Sequence, residues 1–318
     1  TNSRVDGLEA RLNNFEAGGF SETTTASFSV DTTIGSIDGD TVTEATTFEY
    51  QYNIGLSTSF TGEDSLDIAI DSGSTQATTG DNPMAFDTGA ALSVDGVSYS
   101  FPVGGISMIV GVDTDISSSF TGACSYSAFT DIMSNCGTGS TLGVSGNGFT
   151  ATGSYAFDSG FSLAAGLSST ADKSTQALSK VGILSKEGAD SYAMEAAYTA
   201  DSWGVAVAYV MDDNAASAET TKWGVNATYS FDSSNLPSVS IGYETSETSG
   251  TDTRGYFAGL TWDEVGPGSL SIGGGTAGNF ENSSKELMLY EASYSYAVND
   301  GLTITPGIYL KETSGDDI

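Results

Sequence analysis

FEYQYNIGL, residues 48–56, is the stretch whose reading decides the fold. Phe48, Tyr50, Tyr52, Ile54 and Leu56 share one parity, and Glu49, Gln51, Asn53 and Gly55 share the other. Successive side chains of a strand point to opposite faces, so this run is a strand with one apolar and one polar face. The pattern recurs outward from it. Leu66, Ile68 and Ile70 alternate with Asp67, Ala69 and Asp71, and Val97, Tyr99, Phe101 and Val103 alternate with Ser98, Ser100 and Pro102. Fifteen such strands are expected, near 22–34, 45–57, 64–72, 89–103, 105–113, 147–157, 160–169, 191–200, 202–211, 221–231, 238–247, 254–262, 269–276, 286–297 and 302–311.

A soluble sandwich also alternates, so three further features carry the argument. The strands run to about nine to eleven residues, the length of a tilted bilayer crossing. Their polar face is Ser, Thr, Gly and carboxylate, which suits a wet interior. Aromatic residues gather near strand ends, as at Tyr99 and Phe101, Tyr155 and Phe157, Tyr229 and Phe231, and Tyr294 and Tyr296. Membrane strands end at headgroup depth, where amphipathic rings are favoured. Connections alternate too. Short turns at 58–64, 103–105, 158–160, 200–202, 232–237, 263–268 and 298–301 interleave with longer loops at 35–44, 72–88, 113–147, 169–191, 211–221, 245–254 and 276–285. The expected fold is all-β: a transmembrane antiparallel β-barrel with a short helix at its N-terminus. Single-chain barrels normally close with an even number of strands, so sixteen are expected, the last beyond Ile318.

Composition excludes several functions. The 318 residues hold 41 acidic and 9 basic side chains, a formal charge of −32. Nucleic acid is therefore not a partner, because its phosphates would be repelled. The 15 Phe, 15 Tyr and 3 Trp are too many for a disordered acidic chain. No apolar run of about 18 residues encodes a membrane helix. No leader peptide is visible, so the chain reads as mature or trimmed. Histidine is absent, which removes the commonest general base and metal ligand. No nucleophile–base pair or phosphate loop can be argued, and no enzyme or cofactor is expected.

Val5, Leu8, Leu12 and Phe15 follow the 3-4-3 spacing of a short apolar helical stripe. Residues 1–19 read either as an amphipathic helix packed on its own domain or as the end of a coiled coil, and residues 20–318 as the barrel. Cys124 and Cys136 lie 12 apart in a Gly/Ser-rich loop. A local disulfide in an oxidising compartment is expected over free thiols.

LEARLNNFEAGGFSETTTASF at 8–28, LSTSFTGEDSL at 56–66, VSYSFPVGG at 97–105, YFAGLTWDEVGPGSLSIGGG at 256–275 and YEASYSYAVNDGLTITPGIYLKETSGDD at 290–317 resemble the cyanobacterial outer-membrane porins, a branch of the carbohydrate-selective porin family labelled iron-uptake porins. The resemblance covers nearly the whole chain and is weakest in the loops. It implies passage of inorganic ions, with iron suggested by the label, and a location in a Gram-negative, cyanobacterial outer membrane. From the helical stripe a homotrimer is expected, with Leu8, Leu12 and Phe15 meeting their equivalents near a three-fold axis on the periplasmic side. An N-terminal surface-layer-homology domain, which this sequence lacks, would grip peptidoglycan-linked polymer. The alternative is an envelope tether or adhesin whose barrel is mainly an anchor. A tether could fill its lumen with bulky side chains, whereas this polar face is Gly, Ser and Thr.

The third long loop of general porins folds inward, and the 113–147 loop is expected either to do likewise or to stay outside, stapled by its disulfide. Stapling contributes about 3 kcal/mol by chain entropy. Pore-lining candidates are Glu49, Asp67, Asp113, Glu195, Glu244 and Glu291 on the polar parity, with Asp115 and Asp131 in the loop and Lys222 as a moderating cation. Carboxylates around a confined pore attract cations. The competing account is a charge that merely keeps a surface solvated. Asp38-Gly39-Asp40 and Asp212-Asp213-Asn214 could hold Ca²⁺ weakly through oxygen ligands, or be ordinary turns.

Overall fold

The computed structural model describes residues 24–39, 46–74, 89–146, 148–169, 189–213, 219–233, 235–281 and 285–313. The helical stripe of Val5, Leu8, Leu12 and Phe15 lies outside the described residues, as do Asp40 and Asn214. The chain divides into two compact units, Thr1–Pro102 and Val103–Ile318.

The first unit is a meander of four strands, β1 (Thr24–Ser36), β2 (Thr46–Thr58), β3 (Ser65–Gly73) and β4 (Ser93–Val103), each antiparallel to the next. Its register carries the expected parity from strand to strand. Glu49 opposes Thr33, Gln51 opposes Asp31, Ser57 opposes Asp67 and Asn53 opposes Asp71. Directly opposed residues share a face, so Asp31, Glu49, Asp67 and Asp71 all lie on the polar one. The other face is apolar and open, with Phe28 75%, Ile34 73% and Phe48 60% exposed. Between β2 and β3 the chain turns tightly around Asp64. That carboxylate accepts hydrogen bonds from the Ser59 hydroxyl and the Phe60 and Thr61 amides, and from Tyr99 Oη of β4 at 2.6 Å.

The second unit continues the same logic. Its strands are β5 (Ile106–Val112), β6 (Phe149–Ala156), β7 (Phe161–Ser169), β8 (Asp190–Thr199), β9 (Trp203–Asp213), β10 (Thr220–Tyr229), β11 (Ser238–Thr248), β12 (Thr251–Val265), β13 (Gly268–Thr276), β14 (Phe280–Glu281), β15 (Met288–Asn299), β16 (Leu302–Ile304) and β17 (Gly307–Lys311). From β5 to β13 each strand pairs with the next, and β13 pairs with β15, all antiparallel. The alternation separates an outward row such as Trp203, Val207, Trp223, Ile241 and Tyr243, all exposed, from an inner row such as Ala206, Ala208, Asn226 and Glu244, all buried. Large apolar groups outside and polar or small groups inside invert the arrangement of a water-soluble domain.

Three expectations need correction. The segment 302–311 is two strands, because Pro306 has no amide to donate to the ladder; β15 keeps contact through Tyr294 N on the Pro306 carbonyl at 2.9 Å. The segment 245–254 is a two-residue hairpin. Ser249 and Gly250 both have positive φ, 53° and 80°, which is the primed turn that matches strand twist. The third concerns 276–285, where Phe280–Glu281 pairs with Thr253 and Arg254. The split strand and this short one account for seventeen strands among the described residues where fifteen were expected.

Candidate functional site

The segment from Asp113 to Gly146 leaves the sheet and lies on the inner face of the second unit. Its neck is built by Asp113, which adopts φ 54°; its amide donates to the Gly148 carbonyl at 2.8 Å and its carboxylate accepts from the Gly148 amide at 2.7 Å. Short 3-10 turns at Ile116–Ser119 and Asp131–Gly137 and one helical turn at Gly139–Leu142 shape the rest. Cys124 and Cys136 are disulfide-bonded, with Cα atoms 5.7 Å apart.

The core of this unit sits between loop and wall. Tyr126, Met133 and Cys136 of the loop pack with Phe257 and Leu289 of the strands. Ile116 and Val144 pack with Ala193 and Val210, and Leu142 packs with Ala197, Ala206 and Ala208. The wall is small where the loop rests. A Cβ at Gly242 would run into the Cys136 carbonyl, and one at Gly224 into the Thr141 hydroxyl. Small residues on the polar face therefore signal, in this unit, the seat of a loop rather than an empty interior.

Polar side chains of the wall fasten the loop along its length. Glu195 of β8 accepts the Thr121 amide at 2.7 Å and the Gly122 amide at 2.6 Å, one on each oxygen. Asn226 of β10 accepts the Ala123 amide at 2.9 Å and donates to the Asn135 carbonyl at 3.4 Å, bridging both sides of the disulfide. Glu244 of β11 accepts from Thr141 Oγ1 at 3.2 Å and from Asn279 Nδ2 at 2.7 Å. Glu291 of β15 accepts from Tyr126 Oη at 3.0 Å and the Phe129 amide at 2.8 Å on one oxygen. Its other oxygen accepts from the Thr130 amide at 2.9 Å and Thr130 Oγ1 at 2.6 Å. Burial pushes the Tyr126 phenol up from its ordinary range, and the Glu291 charge adds to this, so the hydroxyl stays a donor.

The nine charged candidates thus separate by environment. Glu49, Glu195, Glu244 and Glu291 share the polar parity but are only 3–4% exposed, so none of the four stands open to water. For the last three the physical reason is the loop that covers them. Asp67 is half-buried and accepts from the Ser65 hydroxyl at 2.9 Å. Lys222 pairs with Asp212 at 2.8 Å. Asp113, Asp115 and Asp131 are exposed on the loop. Asn226 and the amides of Thr121, Gly122, Phe129 and Thr130 were not anticipated. The only sequence signal for Asn226 was an amide among small residues on the inner parity, and backbone donors leave no sequence signal at all. No group of three or more His, Cys, Asp or Glu side chains among the described residues could hold a metal ion.

A sequence profile described as Gram-negative porin matches residues 103–316. Similar solved structures include OprB of Pseudomonas putida at high pH, with a TM-score of 0.70, 12% identity, and coverage of 92% of this chain and 91% of that one. A loop-deletion mutant of OmpT, an outer membrane protein of Vibrio cholerae, has a TM-score of 0.63 at 11% identity, covering 93% and 96%. An engineered Rh. blastica porin has a TM-score of 0.55 at 13% identity, covering 90% and 94%. At such identities the likeness speaks for the fold, a transmembrane antiparallel β-barrel. No curated protein matches the sequence significantly.

Proposed function

The chain belongs to the Gram-negative porin family, which makes it an outer-membrane channel for passive diffusion, and on that premise we propose that it favours cations and small hydrophilic solutes. One observation carries the preference. Between Arg11 and Lys173 the chain has no basic residue. That span holds the whole polar face of the first unit, with Asp31, Glu49, Asp67 and Asp71, and the whole inward loop, with exposed Asp113, Asp115 and Asp131. Two charges about 8 Å apart at an effective dielectric near 20 interact by roughly 2 kcal/mol, well above thermal energy. A wall of one sign attracts counter-ions and repels co-ions.

Iron is one inorganic cation that the cyanobacterial porin resemblance adds to this reading. The open outer faces, with Phe28, Ile34 and Phe48, are suited to lipid and to further copies of the chain in a trimer. The test is a reversal potential in a KCl gradient across a planar bilayer. Cation-selective sign is expected, and anion-selective sign overturns the proposal. Asp115→Asn with Asp131→Asn is expected to reduce the preference. Asp113 is left intact because its carboxylate builds the loop neck.

A further inference from the structure

Glu195 and Glu291 are strand residues whose carboxylates are spent on the loop. Two amide donors close on Glu195, and three donor groups of the chain between the cysteines, plus the Tyr126 hydroxyl, close on Glu291. Both glutamates are 3% exposed. Charge-assisted bonds of this kind are about twice as strong as neutral ones. A carboxylate offers two acceptor oxygens and no donor when ionised, so its geometry matches converging donors that an amide side chain could satisfy on one side only. The donors on Glu195 are two backbone N–H groups and those on Glu291 are N–H and O–H groups, so each cradle is a nest of uncharged donors shaped for a carboxylate.

We propose that these two glutamates are positioning residues for permeation. Each occupies a carboxylate-binding nest formed by the loop, and together they set how much of the channel cross-section the loop leaves open. Buried and hydrogen-bonded beneath the loop, their carboxylates do not meet the permeating ion directly, so size is set by Glu195 and Glu291 and charge preference by the exposed aspartates. Glu291 sits opposite the segment that the Cys124–Cys136 disulfide closes into a ring, so the ring moves as one body when this anchor is lost. The inference rests on the reading of the chain as a diffusion channel.

The nest gives a direct test. Glu291→Ala leaves a pocket that a small carboxylate can enter, so single-channel recordings of the variant are made in KCl with and without sodium formate. The expected result is a conductance at least about 1.5-fold different from the parent, with added current noise, brought back toward the parent value by formate, while formate leaves the parent unchanged. Conductance and noise equal to the parent overturn the proposal. An altered conductance that formate does not restore also overturns it, since that is general loosening of β15. Should Glu291→Ala fail to form a barrel, Thr130→Val reads the same nest from the loop side by removing one hydroxyl donor. A noisier channel is then expected, and an unaltered one counts against the nest. If the parent protein itself does not conduct, the channel reading fails instead, independently of the nest.

Discussion

Asp64 shows how much one side chain can organise. Four donors converge on it, and the Tyr99 hydroxyl, then the Thr61 amide, hold its carboxyl well below the usual carboxylate range. A depressed folded-state pKa contributes stability above the unfolded value, about 3.9, and that contribution fades as pH falls toward the folded value. Asp64→Asn is therefore expected to unfold at lower temperature than the parent at pH 7, with the gap narrowing below about pH 4. Circular dichroism melts of detergent-solubilised protein check it; a gap that is constant from pH 7 to pH 3 would remove the carboxylate from the explanation. The tie from Asp64 to Tyr99 spans β2, β3 and β4, so one residue in a turn fixes the register of three strands. The same scale separates the glutamates from the aspartates of the second unit. All are carboxylates, yet Glu195 and Glu291 are buried against loop amides while Asp115 and Asp131 are exposed on the loop.

At the scale of elements, the decisive relation is between the loop and the strands beneath it. Valine in a strand interior normally gains up to about 1 kcal/mol over glycine. Gly242→Val is expected to do the opposite, losing about 1–3 kcal/mol, because the added group overlaps the Cys136 carbonyl and must displace the loop. Gly35→Val in β1 is the control, since nothing lies within 4 Å of its Cβ position. Urea unfolding in mixed micelles measures both. Equal shifts in the same direction would show that strand propensity, and not the loop, governs the inner face. The seat also revises an inference about the channel itself. Inner glycines of the second unit do not measure how open the lumen is, and the electrical measurement decides between a channel and an anchor on its own.

For the whole molecule the governing quantity is charge of one sign. A formal −32 is carried with only nine basic residues, and one of those among the described residues, Lys222, is already paired with Asp212. The field of such a wall is limited by salt: the Debye length falls from about 30 Å at 0.01 M to about 3 Å at 1 M. Cation preference in KCl gradients is therefore expected to be strong at low mean salt and weak near 1 M. A preference that ignores salt would point to a short-range binding site in place of a diffuse field.

Much of this molecule was legible in the chain itself. Alternation at 48–56 and its repeats specified strands and faces, because a period of two has only one way to place an apolar row against lipid, while the register of each pair came from the structure. The missing histidine removed the commonest general base and metal ligand, since titration chemistry belongs to residues and not to their arrangement. The two cysteines, close in one loop, suggested their bridge. What only the tertiary structure decided is which carboxylates are available. Parity put Glu49, Glu195, Glu244 and Glu291 on the inner face but could not say that they are covered, nor that backbone amides of residues some 70 to 160 positions away satisfy two of them. Those donors are present on nearly every residue, so nothing in the order of side chains distinguishes the ones that meet a glutamate; only the path of the loop across the wall selects them.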